Sequence, residues 1–392
     1  MRTNRNTFTV IAVSLLVLLI NGYANPASAA SHPVNETESA AEISDENDRL
    51  YDEVWNLISD NFLYRDRLKT WNSWRHKFDG HMKTKASSNT AINTMLDSLS
   101  DEYTFFRDQS ATEERKILRQ KTKVVEHKML DGQVGYIHIS TFNSVFCVPE
   151  TARALIELNQ ANGIILDLRD NCGGSINSTF DVFSLLTKAG KFVTMKGTAD
   201  HVDSFEEMTL CDNSALSTAD GVTLRKERIN NLSGQKPLVV LVDQNTKSAA
   251  EMLAGALRDN GRATVVGSRT FGKGIVQRVW EFPNNTSIKI SSAKYYLPGG
   301  TNIHKIGLVP DLSVDTTLVP KIKTGNRGPR KNQPQIAASG NGPADRPIET
   351  EQIAHDGQLS GDSDTASTAN RDAMLTEART VLKRKLVSLA KP

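Results

Sequence analysis

The sequence predicts an α/β fold: a mixed-sheet core with helical crossovers, a small N-terminal helical domain ahead of it and a C-terminal helix behind it. Three observations carry the prediction. The continuous apolar runs Gly163 to Leu168 and Leu238 to Val242 have the length of strands buried on both faces. Between them lie stretches at helical spacing, as strands that must be covered by crossover helices require. Near the two ends of the chain, Leu50, Val54 and Ile58, and then Leu375, Ala378, Leu382 and Leu386, repeat with the period of an amphipathic helix. With 392 residues and 38% hydrophobic composition the chain can bury a large core and a smaller appendage.

Taken in order, residues 1–29 read as a signal peptide. Arg2 and Arg5 precede the apolar run Phe8 to Ile20, and Ala27-Ser28-Ala29 is a small-residue cleavage site. As a helix that run spans about 20 Å at ~1.5 Å per residue, short of a ~30 Å hydrocarbon core, so cleavage is expected rather than a stable membrane span. The expected location is exported: a periplasm or an organelle lumen, the thylakoid lumen included. Residues 30–47 are polar and acidic, a flexible leader. Residues 48–110 form the N-terminal helical domain, with Tyr51, Trp55, Ile92, Met95, Leu96 and Leu99 as packing positions. Residues 111–133 are a short connector, charged and helical at first.

The core occupies 134–319. Val134 to Ile139 is a strand; a helix follows through Ala154, Leu155 and Leu158; Gly163 to Leu168 then delivers the turn Arg169 to Gly174 at its C-terminal end. Another helix carries Phe180, Phe183, Leu185 and Leu186. Leu238 to Val242 turns through Asp243 to Thr246 into a helix starting at Ser248, and Thr264 to Val266 is the next strand. Val276 to Phe282 and Ser287 to Ser292 alternate as strands about the turn Pro283-Asn284-Asn285. Residues 320–370, rich in Gly, Pro, Asn, Ser, Thr and Asp, read as a low-complexity insertion, and 371–392 as a docked C-terminal helix.

A formal charge of +2 asks for neither nucleic acid nor an anionic membrane. Cys147, Cys172 and Cys211 are too few for a disulfide scaffold; one bridge or three free thiols are both compatible with the spacing. No compact metal-ligand motif occurs around His81 or His127, and the glycines flanking Lys273 lack the rest of a phosphate loop. No cofactor and no metal are expected.

Chemistry concentrates at Ser248 and Lys273. A serine where a buried strand turns into a helix can expose a hydroxyl beside free backbone N–H groups, as an acyl-transfer nucleophile requires. On spacing alone the plainer account is stronger: Ser248 followed by Glu251 fits a capping box. The next segment shifts the balance. Phe271-Gly272-Lys273-Gly274 sets a lysine between two glycines, leaving room for a desolvated amine, and a lysine of lowered pKa can take a serine's proton.

Three separated segments, KSAAEMLAGAL, GSRTFGKGIVQ and Leu168-Arg169-Asp170-Asn171-Cys172-Gly173-Gly174, then resemble, in the expected order, the carboxy-terminal processing proteases of the tail-specific, serine–lysine dyad family. The resemblance implies Ser248 as nucleophile, Lys273 as general base and Gln277 as the residue orienting that lysine. It implies an oxyanion hole from the backbone N–H groups of Ala249 and of Gly173 or Gly174, with Arg169 supporting the turn. Asp101 to Phe106, Ser291 to Gly300 and Gly307 to Asp311 resemble further family segments. One departure is clear. Typical members carry a peptide-binding PDZ domain where this chain has only Arg107 to Val125, too short to fold as an independent domain. The expected function is therefore that of an exported serine endopeptidase acting on polypeptide substrates near their C-termini, the alternative being a non-catalytic exported binding or assembly factor that keeps the fold.

Overall fold

The computed structural model describes residues 40–199, 202–211, 214–227, 231–314 and 364–389. The expected signal peptide at 1–29, the first part of the expected leader and most of the stretch 320–370 expected to be a low-complexity insertion lie outside the described residues. The chain opens with a helical unit in which α1 (Ala40–Asn61) and α2 (Lys85–Asp97) bury Tyr51, Val54, Ile58, Ile92, Met95 and Leu99 in one cluster. α1 begins inside the stretch expected to be leader. Its polar Asn47 is buried and donates to the Met82 carbonyl at 2.8 Å, a tertiary contact that apolar periodicity does not reveal.

Two short elements connect this unit to the core. β1 (Phe105–Arg107) lies within the span expected to be helical, and α3 (Gln109–Arg119) starts at Asp108, whose carboxylate accepts the Ala111 N–H at 2.9 Å. α3 buries only Thr112, whose hydroxyl lies 2.9 Å from that of Ser287. The span 111–133 expected to be a connector thus holds most of α3, laid against a strand hairpin, and also the strand Val125–Leu130, which joins the core sheet.

The core then runs β2 (Val125–Leu130), β3 (Val134–Ile139), α4 (Cys147–Glu157), β4 (Gly163–Asp167), α5 (Ile176–Leu186), β5 (Gly190–Ala199), β6 (Val202–Cys211), β7 (Ser214–Ala219), β8 (Val222–Glu227), β9 (Leu238–Val242), α6 (Ala249–Asp259), β10 (Ala263–Gly267), β11 (Ile275–Glu281), β12 (Ser287–Tyr296), β13 (Leu312–Ser313) and α7 (Asp364–Leu389). One sheet has the order β13-β10-β9-β4-β3-β2 and is parallel apart from the β2–β3 hairpin. Helices cover both its faces, which explains the unbroken apolar runs. Ile164, Leu166, Val240 and Val242 pack with α5 and α6, while Ile165, Val239 and Leu241 pack under Met374, Ala378, Val381 and Leu382 of α7. α7 therefore docks as expected, beginning earlier than residue 371.

The second sheet, β1-β12-β5-β6-β7-β8 with β11 on the other side of β12, is antiparallel. Its meander β5 to β8 escaped the sequence reading. Only its inner end, with Val193, Met195, Met208, Leu210 and Ala215, reaches the core, while Val222 and Leu224 are exposed. A strand buried at one end has weak alternation. The placement that matters most is simpler. β4 and β9 are parallel neighbours, with Asp167 opposite Leu241, so the turns that follow them leave the same edge of the sheet side by side.

Candidate active site

Ser248 is the residue before α6, and its backbone is strained: φ is +53° and ψ −121°, a region that side chains disfavour by about 1–3 kcal/mol. Its neighbours hold it there. The Ser248 N–H donates to Glu251 Oε2 at 2.8 Å, and its carbonyl accepts the buried Tyr295 hydroxyl at 3.2 Å. Upstream, Asp243 Oδ1 accepts the N–H groups of Asn245 and Thr246 at 3.0 and 2.9 Å, closing the turn that carries the serine off β9.

The glycine turn after β4 lies directly against this serine. Lys247 N–H donates to the Asn171 carbonyl at 2.9 Å, and the Asn245 amide donates to Asp170 Oδ1 at 2.8 Å. At Gly173, φ is +92° and a Cβ would stand 2.8 Å from the Lys247 carbonyl and 3.0 Å from both Ala249 N and Ser248 Cβ, so only glycine permits the approach. The Gly173 N–H is spoken for: it donates to Asn171 Oδ1 at 2.8 Å. The N–H groups of Gly174 and Ala249 have no acceptor among the described residues.

Beneath the turn Arg169 makes a buried ion pair with Asp167, its Nε 2.9 Å from Oδ1 and Nη2 2.5 Å from Oδ2. The two side chains are 3% and 0% exposed, which sets the pair apart from a surface salt bridge. Burial alone would push the Asp167 carboxyl up, but the hydrogen bonds and charge of Arg169, with the Tyr136 hydroxyl at 2.7 Å, outweigh it and hold the carboxyl below its ordinary range. Arg169 Nη1 also donates to the Arg371 carbonyl at 2.8 Å, and the Arg371 side chain pairs with Asp170, so the start of α7 supports the same turn.

The lysine loop is fastened to the serine by Glu251, which spacing presented only as a helix cap. This carboxylate is fully buried. Oε1 accepts the Gly272 N–H at 2.7 Å and the Thr270 hydroxyl; Oε2 accepts the Lys273 N–H at 2.9 Å beside that of Ser248. Burial pushes its pKa above the ordinary value, and the converging donors pull partly the other way. Gly272 and Gly274 are also needed for contact: a Cβ on either would meet the backbone of 303–307. The Lys273 Nζ sits 4.8 Å from the centroid of the Tyr103 ring. Gln277 reaches the same tyrosine, donating from Nε2 to the Tyr103 carbonyl at 2.5 Å.

Ser248, Ala249, Gly173, Gly174, Arg169, Lys273 and Gln277 therefore belong to one connected region, joined by Glu251, Asn171 and Tyr103, which the sequence did not single out. The only available signal for Glu251 was its position three residues after Ser248, and for Tyr103 its place in the Asp101 to Phe106 segment. Cys147 is buried, which pushes its thiol up to about 12, and Cys172 and Cys211 are exposed; none of the three forms a disulfide.

Residues 133–314 match the model of peptidase family S41. The chain is 39% identical over 188 residues to a carboxyl-terminal-processing protease of Synechocystis sp., covering 47% of this chain and 39% of the relative. It is 30% identical over 215 residues to the carboxy-terminal-processing protease of Bartonella bacilliformis (53% and 45%), and 34% identical over 190 residues to the chloroplastic C-terminal processing peptidase of Tetradesmus obliquus (48% and 36%). It spans less than half the length of each of these relatives. Among solved structures it resembles a photosystem II D1 C-terminal processing protease, with a TM-score of 0.51 at 21% identity over 70% of this chain and 94% of the other. It also resembles a lipoprotein from Streptococcus agalactiae, with a TM-score of 0.52 at 13% identity over 69% and 93%. Likeness at these identities establishes the fold. Among the described residues no helix is long and apolar enough to cross a membrane.

Proposed function

We propose that the chain, whose residues 133–314 match the model of peptidase family S41, is a serine endopeptidase that hydrolyses peptide bonds of polypeptide substrates near their C-termini. In this reading Ser248 Oγ attacks the scissile carbonyl carbon while neutral Lys273 Nζ takes its proton. The tetrahedral intermediate collapses as the C–N bond breaks, and the ammonium returns that proton to the leaving amine. Water then attacks the Ser248 ester, again giving a proton to Lys273, which passes it to the serine oxygen as the acid leaves. Ala249 and Gly174 supply the N–H groups for the oxyanion, and Gly173 lets the two turns meet. Gln277 holds the base side, and Arg169 holds the oxyanion turn from below.

The observation that carries the reading is the Glu251 carboxylate, whose Oε2 accepts the N–H groups of both Ser248 and Lys273. A residue acting only as a helix cap has no need of the second contact. The strained backbone at Ser248 adds to it. A Ser–Lys scheme must keep the lysine neutral: lowering its pKa from ~10.4 to ~7.5 corresponds to roughly 4 kcal/mol, the scale of what burial can supply.

The proposed location is exported, in a periplasm or an organelle lumen. It rests on the expected signal peptide at 1–29 and on relatives whose names place them in the chloroplast. The test is cleavage of an unfolded polypeptide by the purified protein. Ser248→Ala and Lys273→Ala are each expected to abolish cleavage with thermal unfolding nearly unchanged. Equal cleavage by the parent protein and both variants would sink the dyad assignment, and no cleavage by the parent protein would favour a binding or assembly factor.

A further inference from the structure

We propose that Tyr103 is a positioning residue for the base of the dyad, so that the N-terminal helical unit completes the active site; the proposal rests on Lys273 being that base. Tyr103 touches both residues on the base side. Its ring lies under the Lys273 Nζ, 4.8 Å from centroid to nitrogen, and its carbonyl takes the Gln277 amide at 2.5 Å. The ring also packs edge-on against His304, with centroids 6.3 Å apart and an interplanar angle of 65°, so its plane is set from a second direction.

The tyrosine is firmly mounted. The next residue, Thr104, is buried, donates its hydroxyl to Asp101 Oδ2 at 2.6 Å, and accepts the Ser291 N–H at 3.0 Å. Phe106, two positions further on, is buried with Phe282, Ile288 and Ile290, and β1 is paired with β12. A segment tied to β12 by backbone and by side chain cannot drift from the loop that carries Lys273. The Tyr103 hydroxyl engages Glu102, so the ring face is the part offered to the lysine.

Ionisable groups stand near the amine on several elements. Glu251 underlies the Lys273 backbone; Lys247 lies over the Phe271 ring; Asp101 and Glu102 flank Tyr103; Lys294 stands on β12 opposite Ile275; His304 and Lys305 stand on the loop that packs against Gly272 and Gly274. Removing the ring alters none of these. It takes away the aromatic face against which the amine rests.

The experiment compares the full-length protein with its Y103F, Y103A, Y103L and S248A variants, measuring kcat and KM on one unfolded polypeptide, with thermal unfolding beside them. Y103F, which keeps the ring, is expected to match the parent. Y103A is expected to lose kcat by about tenfold to a hundredfold, the scale of a misplaced catalytic group, with KM little changed. Y103L keeps apolar bulk without a ring face; it should behave as Y103A and replaces it if Y103A does not fold. Parent-like kcat in the ring-less variants, or a loss that falls on KM and not on kcat, overturns the proposal. S248A as active as the parent would overturn the dyad itself, whereas inactive S248A beside unaffected Y103A and Y103L overturns the role of Tyr103 alone.

Discussion

Ser248 and Lys273, on separate loops, deliver their backbone N–H groups to the same oxygen, Glu251 Oε2, at 2.8 and 2.9 Å. The shared acceptor holds the two loops in register before any substrate arrives. Preorganisation of this kind lets a weak nucleophile and its base meet without reorganisation during the reaction.

Glu251→Gln tests that relationship. Four donors converge on the carboxylate, from Ser248, Thr270, Gly272 and Lys273. Glutamine offers one acceptor oxygen and turns an NH2 toward the others. At roughly 1–3 kcal/mol for each buried donor left without a partner, E251Q is expected to unfold at lower temperature and to lose cleavage. Cleavage within about twofold of the parent would show that the shared oxygen is dispensable; twofold here is well under the tenfold that 1.4 kcal/mol represents.

Gly173→Ala separates the site from the fold. The added methyl would press on the Lys247 carbonyl, Ala249 N and Ser248 Cβ, and φ at +92° disfavours any side chain. We expect about 1–3 kcal/mol of destabilisation and a much larger loss of kcat, since the groups displaced are the proposed nucleophile and its neighbouring N–H. Activity falling only in step with stability would argue against the role given to this turn. Thermal unfolding with single-turnover cleavage would separate the two effects.

The Asp167–Arg169 pair predicts opposite acid responses in two proteins. The folded Asp167 carboxyl titrates below its ordinary range, so the stability it contributes is fully present above the unfolded pKa of about 3.9 and is lost as pH falls through the folded value. In Arg169→Met the carboxyl stays buried without its cation, costing about 3–5 kcal/mol at neutral pH. Burial then raises its pKa, and the sign reverses: protonation on going from pH 7 to pH 5 should recover part of the lost stability. Melting temperatures measured across that range check both halves; parallel curves for parent and variant would refute the pairing.

Thiol labelling reads the core directly. Cys172 and Cys211 are exposed, whereas Cys147 is fully buried with its thiol pushed up to about 12. A thiolate-directed reagent at neutral pH should modify two cysteines in the native protein and the third only in denaturant. A disulfide, which the sequence left open, would appear as one reactive thiol or none after denaturation without reductant.

Leu382→Ala tests the docking of α7. Leu382 is fully buried against the face of the sheet formed by Ile165, Val239 and Leu241. Truncation there should cost about 2–5 kcal/mol. Because α7 also supports the proposed oxyanion turn through Arg371, kcat should fall as well. Stability unchanged by L382A would mean that the helix is not seated on the sheet.

Much of the fold was legible from local pattern. β4 and β9 announced themselves as unbroken apolar runs because helices cover both faces of their sheet, and α7 because its apolar positions fall on one face. The meander β5 to β8 did not, since only one end of it is buried and its outer strands bear Val222 and Leu224 in solvent. Helix α3 could be anticipated from its charge and length, but its seat on the β11–β12 hairpin could not: Thr112 meets Ser287 across a separation that no sequence period encodes.

By itself the sequence determined the residue types of the proposed chemistry, a serine at a strand-to-helix turn, a lysine between glycines and a glycine turn after a buried strand. Short-range spacing and backbone permissiveness are local properties, and they are written in the chain. Tertiary structure decided which groups serve one another. It made Glu251 an acceptor for two loops, brought the carbonyl and ring of Tyr103 to Gln277 and Lys273, gave the Gly173 N–H to Asn171 and buried Arg169 on Asp167. A hydrogen bond depends on distance and angle between groups that may lie anywhere along the chain, and only the packed sheet brings these within reach.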